Sequence, residues 1–414
     1  MDAPAPRKPA LGFIFVTLIL MVLGFSIIIP VLPNLVTQFE GGNVAEGSLY
    51  YGSLLVVFAV VQFIASPILG SLSDRYGRRR VILIALAGSA IDYVIMGCAP
   101  SMAWMFLARM ISGATAGTLA TCNAYIADVT PPERRAQGFG LVGAAFGVGF
   151  VAGPVIGGFF GQYSIRLPFF VAAGCVAANW FYGAFVLPES LRPENRRAFS
   201  WGRSNPVGSI LALRRFRGVF DLACMQFIFY FANSMLQSIW VLYTGYRYGW
   251  SAFQVGLSLT FIGVMTIVVQ AGMVKKIIAK TGERKGLLLG LLISAVVMTG
   301  YGLATQGWMI YTIVLIGAWG GISGPAAQSL ITRHVPPNEQ GAVQGSLIGL
   351  QSLAGIFAPF LATWSFGICI GPGHNLPGIA FFEASALLVL AIGLALRSFQ
   401  LDDRLAAKVS VAAH

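Results

Sequence analysis

The chain has 414 residues, 57% of them hydrophobic and only 10% charged. This excludes an ordinary soluble domain with a charged shell. The 27 Lys and Arg outnumber the 15 Asp and Glu and leave a net charge of +12, which raises nucleic acid as a partner until the cations are placed along the chain.

Apolar stretches of roughly 20 residues, enough to cross a bilayer core, recur about twelve times. The predicted spans are 11–34, 49–71, 81–99, 102–128, 137–161, 167–187, 218–244, 252–275, 286–304, 307–333, 341–365 and 377–396. Helices are expected throughout, because lipid offers backbone groups no partner outside the segment. The first span follows Arg7 and Lys8, as a signal peptide would. It lacks a small-residue cleavage site and runs on to Pro30 and Pro33, so it reads as a retained helix.

With the N-terminus inside, 24 of the 27 Lys and Arg fall on the cytoplasmic side; Arg166 and Arg247 lie outside and Arg109 within a span. That asymmetry follows the positive-inside rule and predicts cytoplasmic termini. The basic excess is therefore topology plus attraction to anionic headgroups, with no nucleic-acid partner.

After the second span comes Gly70-Ser71-Leu72-Ser73-Asp74-Arg75-Tyr76-Gly77-Arg78-Arg79-Arg80. Arginines alone would suit a topogenic loop. Asp74 and Gly77 at this spacing suggest charge pairs about a sharp turn, that is, a gate. A weaker echo, Ala279-Lys280-Thr281-Gly282-Glu283-Arg284-Lys285, lies 205 positions on from Gly77 to Gly282, and Pro131-Pro132 returns as Pro336-Pro337 at the same offset of 205. Two marks at one offset predict a duplicated chain, divided as 1–187, a basic linker 188–217 and 218–414.

Asp92 and Arg109 fall in the third and fourth spans, which turn near residues 100–101 and so hold the two at similar depth. Each charge at the bilayer centre costs roughly 2.5–3.5 kcal/mol, which makes such residues functional candidates. They read either as a protonation-controlled contact or as a structural ion pair. The fifth span opens with a cap pattern, Thr130, Pro131 and Glu133. It carries Gly149, Gly153, Gly157 and Gly161 at every fourth residue, a face that lets another helix come close, with Pro154 to bend it.

The seventh span presents Gln226, Tyr230, Asn233 and Gln237 on one helical stripe. Lipid rejects such a stripe, so it faces either a wet cavity suited to a hydrogen-bonding substrate or another helix. Gln62, Gln270, Trp319, Gln328 and Gln351 are weaker candidates of the same kind. Glu383 in the last span is a third intramembrane acid, with a structural or interfacial role or a part in proton coupling. The five cysteines have no CxxC spacing, and His334, His374 and His414 lack ligand spacing, so neither disulfide nor metal is expected. No HExxH or GxSxG is present, which argues against an enzyme, and no cofactor is expected.

Gly70–Arg80 resembles the signature loop of the major facilitator superfamily, and Gly147-x-Gly149-x3-Gly153-Pro154-x2-Gly157-Gly158 resembles the helix 5 motif of its drug:proton antiporters. Ala90-Ile91-Asp92-Tyr93, Ala124-Tyr125-Ile126-Ala127-Asp128, Leu187-Pro188-Glu189-Ser190 and Gln344-Gly345-Ser346-Leu347 are similar to the tetracycline efflux branch. The resemblance implies an all-α membrane protein of twelve helices in two six-helix bundles, working by alternating access. It implies an inner gate of Gly70, Asp74, Arg75, Gly77, Arg78, Arg79 and Asp128, with Asp74 near the start of the eleventh helix, where the dipole would favour it by about 0.3–1 kcal/mol. It also implies that the helix 5 seam (Gly149, Gly153, Pro154, Gly157) separates leak from obligatory exchange.

The resemblance fails at three places. Met21, Thr266 and Ser294 stand where the tetracycline pumps carry ionisable groups in helices 1, 8 and 9. Proton coupling would then rest on Asp92, Arg109 or Glu383. The expected activity is export of a small organic substrate against protons, from a monomer in the bacterial inner membrane. An uptake carrier for a metabolite and a transport-dead sensor on the same scaffold remain open alternatives.

Overall fold

The computed structural model describes residues 11–130, 135–191, 194, 196, 219–333, 335 and 340–412. Arg7, Lys8, Pro131, Glu133, most of the 188–217 linker, His334, Pro336, Pro337 and His414 lie outside the described residues. Within them the secondary structure is helical.

The helices are α1 Leu11–Ile27, α2 Leu32–Phe39, α3 Val44–Tyr76, α4 Arg78–Cys98, α5 Met102–Thr115, α6 Thr118–Val129, α7 Arg135–Gly161 and α8 Leu167–Phe185. They continue as α9 Val219–Tyr248, α10 Ala252–Gly272, α11 Val274–Thr281, α12 Glu283–Leu303, α13 Gly307–Gly317, α14 Ser323–Arg333, α15 Gln340–Cys369 and α16 Ile379–Ala412. Ten helical stretches among the described residues are long and apolar enough to cross a membrane. The two remaining predicted spans have physical reasons to stand apart. The 218–244 span lies in α9, whose apolar run is diluted by Asp221, Gln226, Asn233, Gln237 and Arg247. The 102–128 span, which runs across α5 and α6 with a break between them, is diluted by Arg109, Asn123, Asp128 and a run of Gly, Ser and Thr.

That break was not expected and has a steric cause. Gly113 and Gly117 press on α3, where a methyl on Gly113 would meet Phe58 O at 2.6 Å and one on Gly117 would meet Leu69 Cδ1 at 2.7 Å. The chain gives up regular helix at Ala116–Gly117 to make that approach. The 307–333 span breaks likewise at a 3-10 turn, Ala318–Ile322, where a methyl on Gly290 would lie 2.7 Å from Ser323 N. The first span also divides, between α1 and α2 around Pro30, which has no N–H to continue the ladder.

The chain forms two compact units, one of residues 1–205 and 250–263, the other of 206–249 and 264–414. In the first, α1 packs on α7 and α8, and α4 on α8 and α5. In the second, α9 packs on α15 and α16, and α12 on α16 and α14. Three of these contacts match at the 205-residue offset: α1 on α7 with α9 on α15, α1 on α8 with α9 on α16, and α4 on α8 with α12 on α16. Gly77 and Gly282 occupy the same backbone position in the two, with φ +100° and +78°.

Candidate functional site

Three places in the first unit gather the residues singled out above. The first is the loop joining α3 to α4. Gly77 ends one helix and starts the next, and its N–H donates to Ser73 O at 3.1 Å. Its φ of +100° and ψ of 151° belong to a region that is essentially glycine-only. Asp74 sits in the last turn of α3, where the carbonyl end of the helix disfavours an acid. Arg78 Nη1 offsets this at 2.6 Å from Asp74 Oδ1, and Arg78 Nε reaches Asp128 Oδ2 at 3.2 Å. Ser73 Oγ accepts from Arg78 Nη1 at 2.6 Å and donates to Gly70 O at 2.7 Å.

Glu189, which the sequence offered only as part of the Leu187–Ser190 motif without a role, completes this loop. The Glu189 carboxylate accepts from the first amides of α4, Arg78 N at 2.8 Å and Arg79 N at 3.2 Å, and from Ser190 N and Leu191 N at 3.0 and 3.1 Å. It serves as the side-chain cap that α4 cannot take from Gly77. Arg79 donates in turn to Gly183 O and Ala184 O at the end of α8. Ser190 Oγ donates to Asp128 at 2.9 Å, and Tyr125 OH to Pro188 O at 3.1 Å. The Leu187–Ser190 segment is therefore stitched to the loop. Arg75 stays exposed, its guanidinium 5.0 Å from the centre of the Tyr76 ring.

The second place is the α7 seam. Methyls on Gly149, Gly153 and Gly157 would collide with Val22, Ser26 and Ile27 of α1, the last with the Ile27 carbonyl. Ser26 Oγ donates to Gly149 O at 2.7 Å across this contact. Pro154 lies inside α7, and its carbonyl faces Gly256, which has no side chain to block it. Thr260 Oγ1 donates to Val151 O at 2.6 Å within the same unit. Small residues here set how closely two backbones come together.

The third place is the α4–α5 hairpin, with Asp92 at 0% and Arg109 at 2% exposure. Their closest ion-pair approach, Arg109 Nη2 to Asp92 Oδ2, is a loose 3.9 Å, because Ser112 stands between them. Its hydroxyl donates to Asp92 Oδ2 and accepts from Arg109 Nη2 at 3.1 Å. Arg109 also reaches Met96 Sδ at 3.1 Å and lies 5.5 Å from the centre of the Phe58 ring. Asp92 Oδ1 and Arg109 Nε are buried and have no hydrogen-bond partner among the described residues. Such a buried, half-satisfied charge pair is poor scaffolding. Ser112 had one sequence signal: it is a polar residue one helical turn from Arg109.

In the second unit, the α9 stripe is partly turned on itself. Gln226, buried, donates to Tyr230 OH at 2.9 Å, and Asn233 Nδ2 to Phe229 O at 2.9 Å, while Gln237 is exposed. Trp319 packs on the apolar cluster of Val269, Val274 and Ile322. Gln328 and, in the first unit, Gln62 are half-buried, and Gln351 is exposed. Glu383 is half-buried and accepts from Ser365 Oγ at 2.9 Å, joining α16 to α15. It belongs to a different unit from Asp92 and Arg109.

Residues 14–359 match the profile of the Major Facilitator Superfamily. The chain belongs to this family. It is 37% identical over 388 residues to the tetracycline resistance protein, class C, of Escherichia coli, covering 92% of this chain and 95% of that protein. It is 27% identical over 384 residues to multidrug resistance protein 2 of Bacillus subtilis (strain 168), covering 90% of each. Among solved structures, the crystal structure of the human organic anion transporter MFSD10 (TETRAN) matches with a TM-score of 0.69 at 23% identity, over 94% of this chain and 100% of that one. The family expected from Gly70–Arg80 and the α7 glycines is thus the family found. The chain is a multi-pass membrane protein from a superfamily of transporters rather than enzymes.

Proposed function

We propose that the chain is a secondary transporter of the bacterial inner membrane that exports a small organic compound in exchange for protons. In this reading twelve helices form two six-helix halves, 1–187 and 218–414, joined by the linker 188–217, with both termini cytoplasmic and the monomer as the working form. The halves provide alternating access. Drug efflux is supported by the likeness to a tetracycline resistance protein and a multidrug resistance protein.

The observation that carries the reading furthest is the buried Asp92–Ser112–Arg109 cluster. A proton arriving at Asp92 cancels the charge that holds Ser112 and Arg109, and the guanidinium keeps Met96 Sδ and the Phe58 ring as alternative partners. The same cluster can thus exist in two charge states with different contacts. Glu383, held by Ser365, is the second candidate for proton traffic. Gln226, Tyr230, Asn233 and Gln237, with Gln62, Trp319, Gln328 and Gln351, supply the hydrogen-bonding and aromatic groups for substrate, and the 70–80 loop with Asp128 is the inner gate.

Everted vesicles with an imposed proton gradient test this. Adding tetracycline or a fluorescent amphiphile is expected to dissipate the gradient with wild type. Asp92→Asn is expected to slow coupled transport by about 100-fold or more, the scale of a lost proton-transfer group, and Ser112→Ala to slow it less. A fully active Asp92→Asn moves the coupling role to Glu383. A gradient untouched by wild type removes drug export, and uptake takes its place, or sensing, which the non-ionisable Met21, Thr266 and Ser294 make conceivable.

A further inference from the structure

Buried polar atoms without a partner gather in one region. Of the six such side-chain atoms among the described residues, four belong to Asp92, Arg109, Thr121 and Thr130, on α4, on α5 and on α6 and its end. Between Arg109 and Thr130 runs a series of hydroxyls, Ser112, Thr115, Thr118 and Thr121, one at every third residue. A regular α-helix would turn such a series off one face by about 60° per step. The break at Ala116–Gly117 counters that drift. Ala116 N reaches Gly113 O at 3.3 Å and Ala120 N reaches Gly117 O at 3.1 Å, and in such three-residue turns side chains three apart eclipse. Ser112, Thr118 and Thr121 are buried and Thr115 is half-buried. Ser112 donates to Asp92, Thr115 Oγ1 shares a hydrogen bond of 3.0 Å with Ser89 Oγ on α4, and Thr118 Oγ1 donates to Thr115 O at 2.6 Å. Thr121 Oγ1, in a residue at 0% exposure, bonds to no described residue. One turn on, Tyr125 OH donates to Pro188 O at 3.1 Å, two residues from the Ser190 hydroxyl that bonds Asp128.

Packing does not account for these hydroxyls. The second unit breaks its own helix at the matching place, Ala318–Ile322, with Gly317, Gly320, Ser323 and Ala326 at the positions 205 on from the four. Val297 and Val314 stand there in place of Asp92 and Arg109. The break therefore forms without the hydroxyl series, and the series accompanies the buried acid. A hydroxyl enclosed without a partner costs free energy, and interiors keep such groups by giving them a water with further polar neighbours. We propose that the hydroxyls of Ser112, Thr115, Thr118 and Thr121 carry protons between Asp92 and the loop at Asp128, with water in the gaps. This rests on the transporter reading above and gives its proton a route. Side chains three apart on a helix stand about 5–6 Å from each other, a gap that one water bridges. From Ser112 to Thr121 the route covers about 14 Å at 1.5 Å per residue. In each hop an oxygen accepts one proton and releases another, so every hydroxyl ends as it began. One proton leaves the Asp92 carboxyl, one emerges at the Asp128 end, and Asp92 is left as the carboxylate facing Arg109.

The test uses the full chain in everted vesicles with tetracycline as probe and the variants Thr118→Val, Thr121→Val, Thr121→Ser and Asp92→Asn. Thr121→Val removes a hydroxyl that no described residue holds, so it is expected to fold. Proton-coupled transport is expected to slow about tenfold in each valine variant, less than the loss at Asp92, because water spans part of the missing step. Thr121→Ser, which keeps the hydroxyl, is expected to stay within about twofold of wild type on the same scale. Tetracycline counterflow exchanges substrate for substrate and carries no proton, so the valine variants are expected to keep it while coupled transport falls. A hydroxyl that served packing alone would move both assays together. Valine variants that couple like wild type while Asp92→Asn is inactive overturn the relay and leave Asp92 as the coupling acid. Valine variants that lose counterflow in step with coupled transport overturn it too. A fully active Asp92→Asn removes the coupling acid and the relay with it. Failure of the transport reading has a different signature: wild type itself moves nothing. The relay is then judged on purified protein by the infrared band of the protonated Asp92 carboxyl after a pH jump, identified by its loss in Asp92→Asn. Thr121→Val is expected to slow the rise of that band about tenfold, and equal rates, or no such band, overturn the relay.

Discussion

The α3–α4 loop and its echo between α11 and α12 share a backbone and differ in almost everything attached to it. Both are helix, glycine, helix, with Gly77 at ψ 151° and Gly282 at ψ 162°, and both glycine amides bond back one turn, to Ser73 O at 3.1 Å and Ile278 O at 2.8 Å. In the first loop Arg78 and Arg79 are absorbed by Asp74, Asp128 and the end of α8. In the second, Lys276, Lys280 and Lys285 are exposed and carry no ion pair to the described acids. Glu189, which caps α4 from 111 residues away, has Leu394 at its 205-offset counterpart. There α12 begins with its own acid, Glu283, in the first turn. A turn that depends on glycine alone keeps its shape while its charges diverge, so a shared backbone is no guide to shared electrostatics.

The largest expected effect separates the two glycines. Both occupy a region costing other residues roughly 1–3 kcal/mol, so Gly282→Ala should lose about that much. Gly77→Ala pays the same strain and also drives a methyl into the Glu189 carboxylate, whereas nothing stands within 4 Å of a methyl on Gly282. Unseating Glu189 leaves the α4 amides unpaired, roughly 1–3 kcal/mol more. Thermal unfolding of purified protein in detergent should therefore place Gly77→Ala clearly below Gly282→Ala. Equal loss in the two would mean that Glu189 yields without penalty.

Glu189 itself gives the next effect. Glu189→Ala keeps the turn and removes the cap, for an expected loss of about 1–2 kcal/mol, with no counterpart for Leu394→Ala through capping. Proteolysis between residues 187 and 196 should also accelerate, since Ser190 N, Leu191 N and the α4 amides lose their common acceptor. A variant as stable and as protease-resistant as wild type would make the carboxylate dispensable to the loop.

How much of this could be read from the sequence follows from the physics of each feature. Ten of the spans were legible because a bilayer imposes length and apolarity, the family because Gly70–Arg80 and the α7 glycines carry its motifs, and Asp92 and Arg109 because charges are conspicuous in apolar runs. The breaks at Ala116–Gly117 and Ala318–Ile322 were not, since glycines spaced by four, like Gly113 and Gly117, signal a close approach without saying whether the helix breaks there. The α9 stripe has correct helical spacing, but spacing cannot say that Gln226 turns to Tyr230. Ser112 and Glu189 are ordinary residue types whose importance lies in what the fold brings to them.

The smallest expected effect probes the charges that the second loop does make. Arg284 Nη1 lies 2.7 Å from Asp403 Oδ1, and its guanidinium is 5.0 Å from the centre of the Phe399 ring, but the two side chains are 42% and 68% exposed. Water screens such a pair to about 0–1 kcal/mol, and the ring contact at an exposed site adds about 0.5–1 kcal/mol. Arg284→Ala should accordingly shift unfolding by less than Glu189→Ala does, and the difference from wild type should shrink as salt is raised, because exposed charges lose their attraction over a Debye length of about 8 Å at physiological ionic strength. Arg78→Ala, whose guanidinium is mostly enclosed between Asp74, Asp128 and Ser73, should lose stability that salt does not erase. If the two arginines responded alike in size and in salt dependence, the contrast between a closed loop and an open one would be wrong, and the repeat would have copied electrostatics along with backbone.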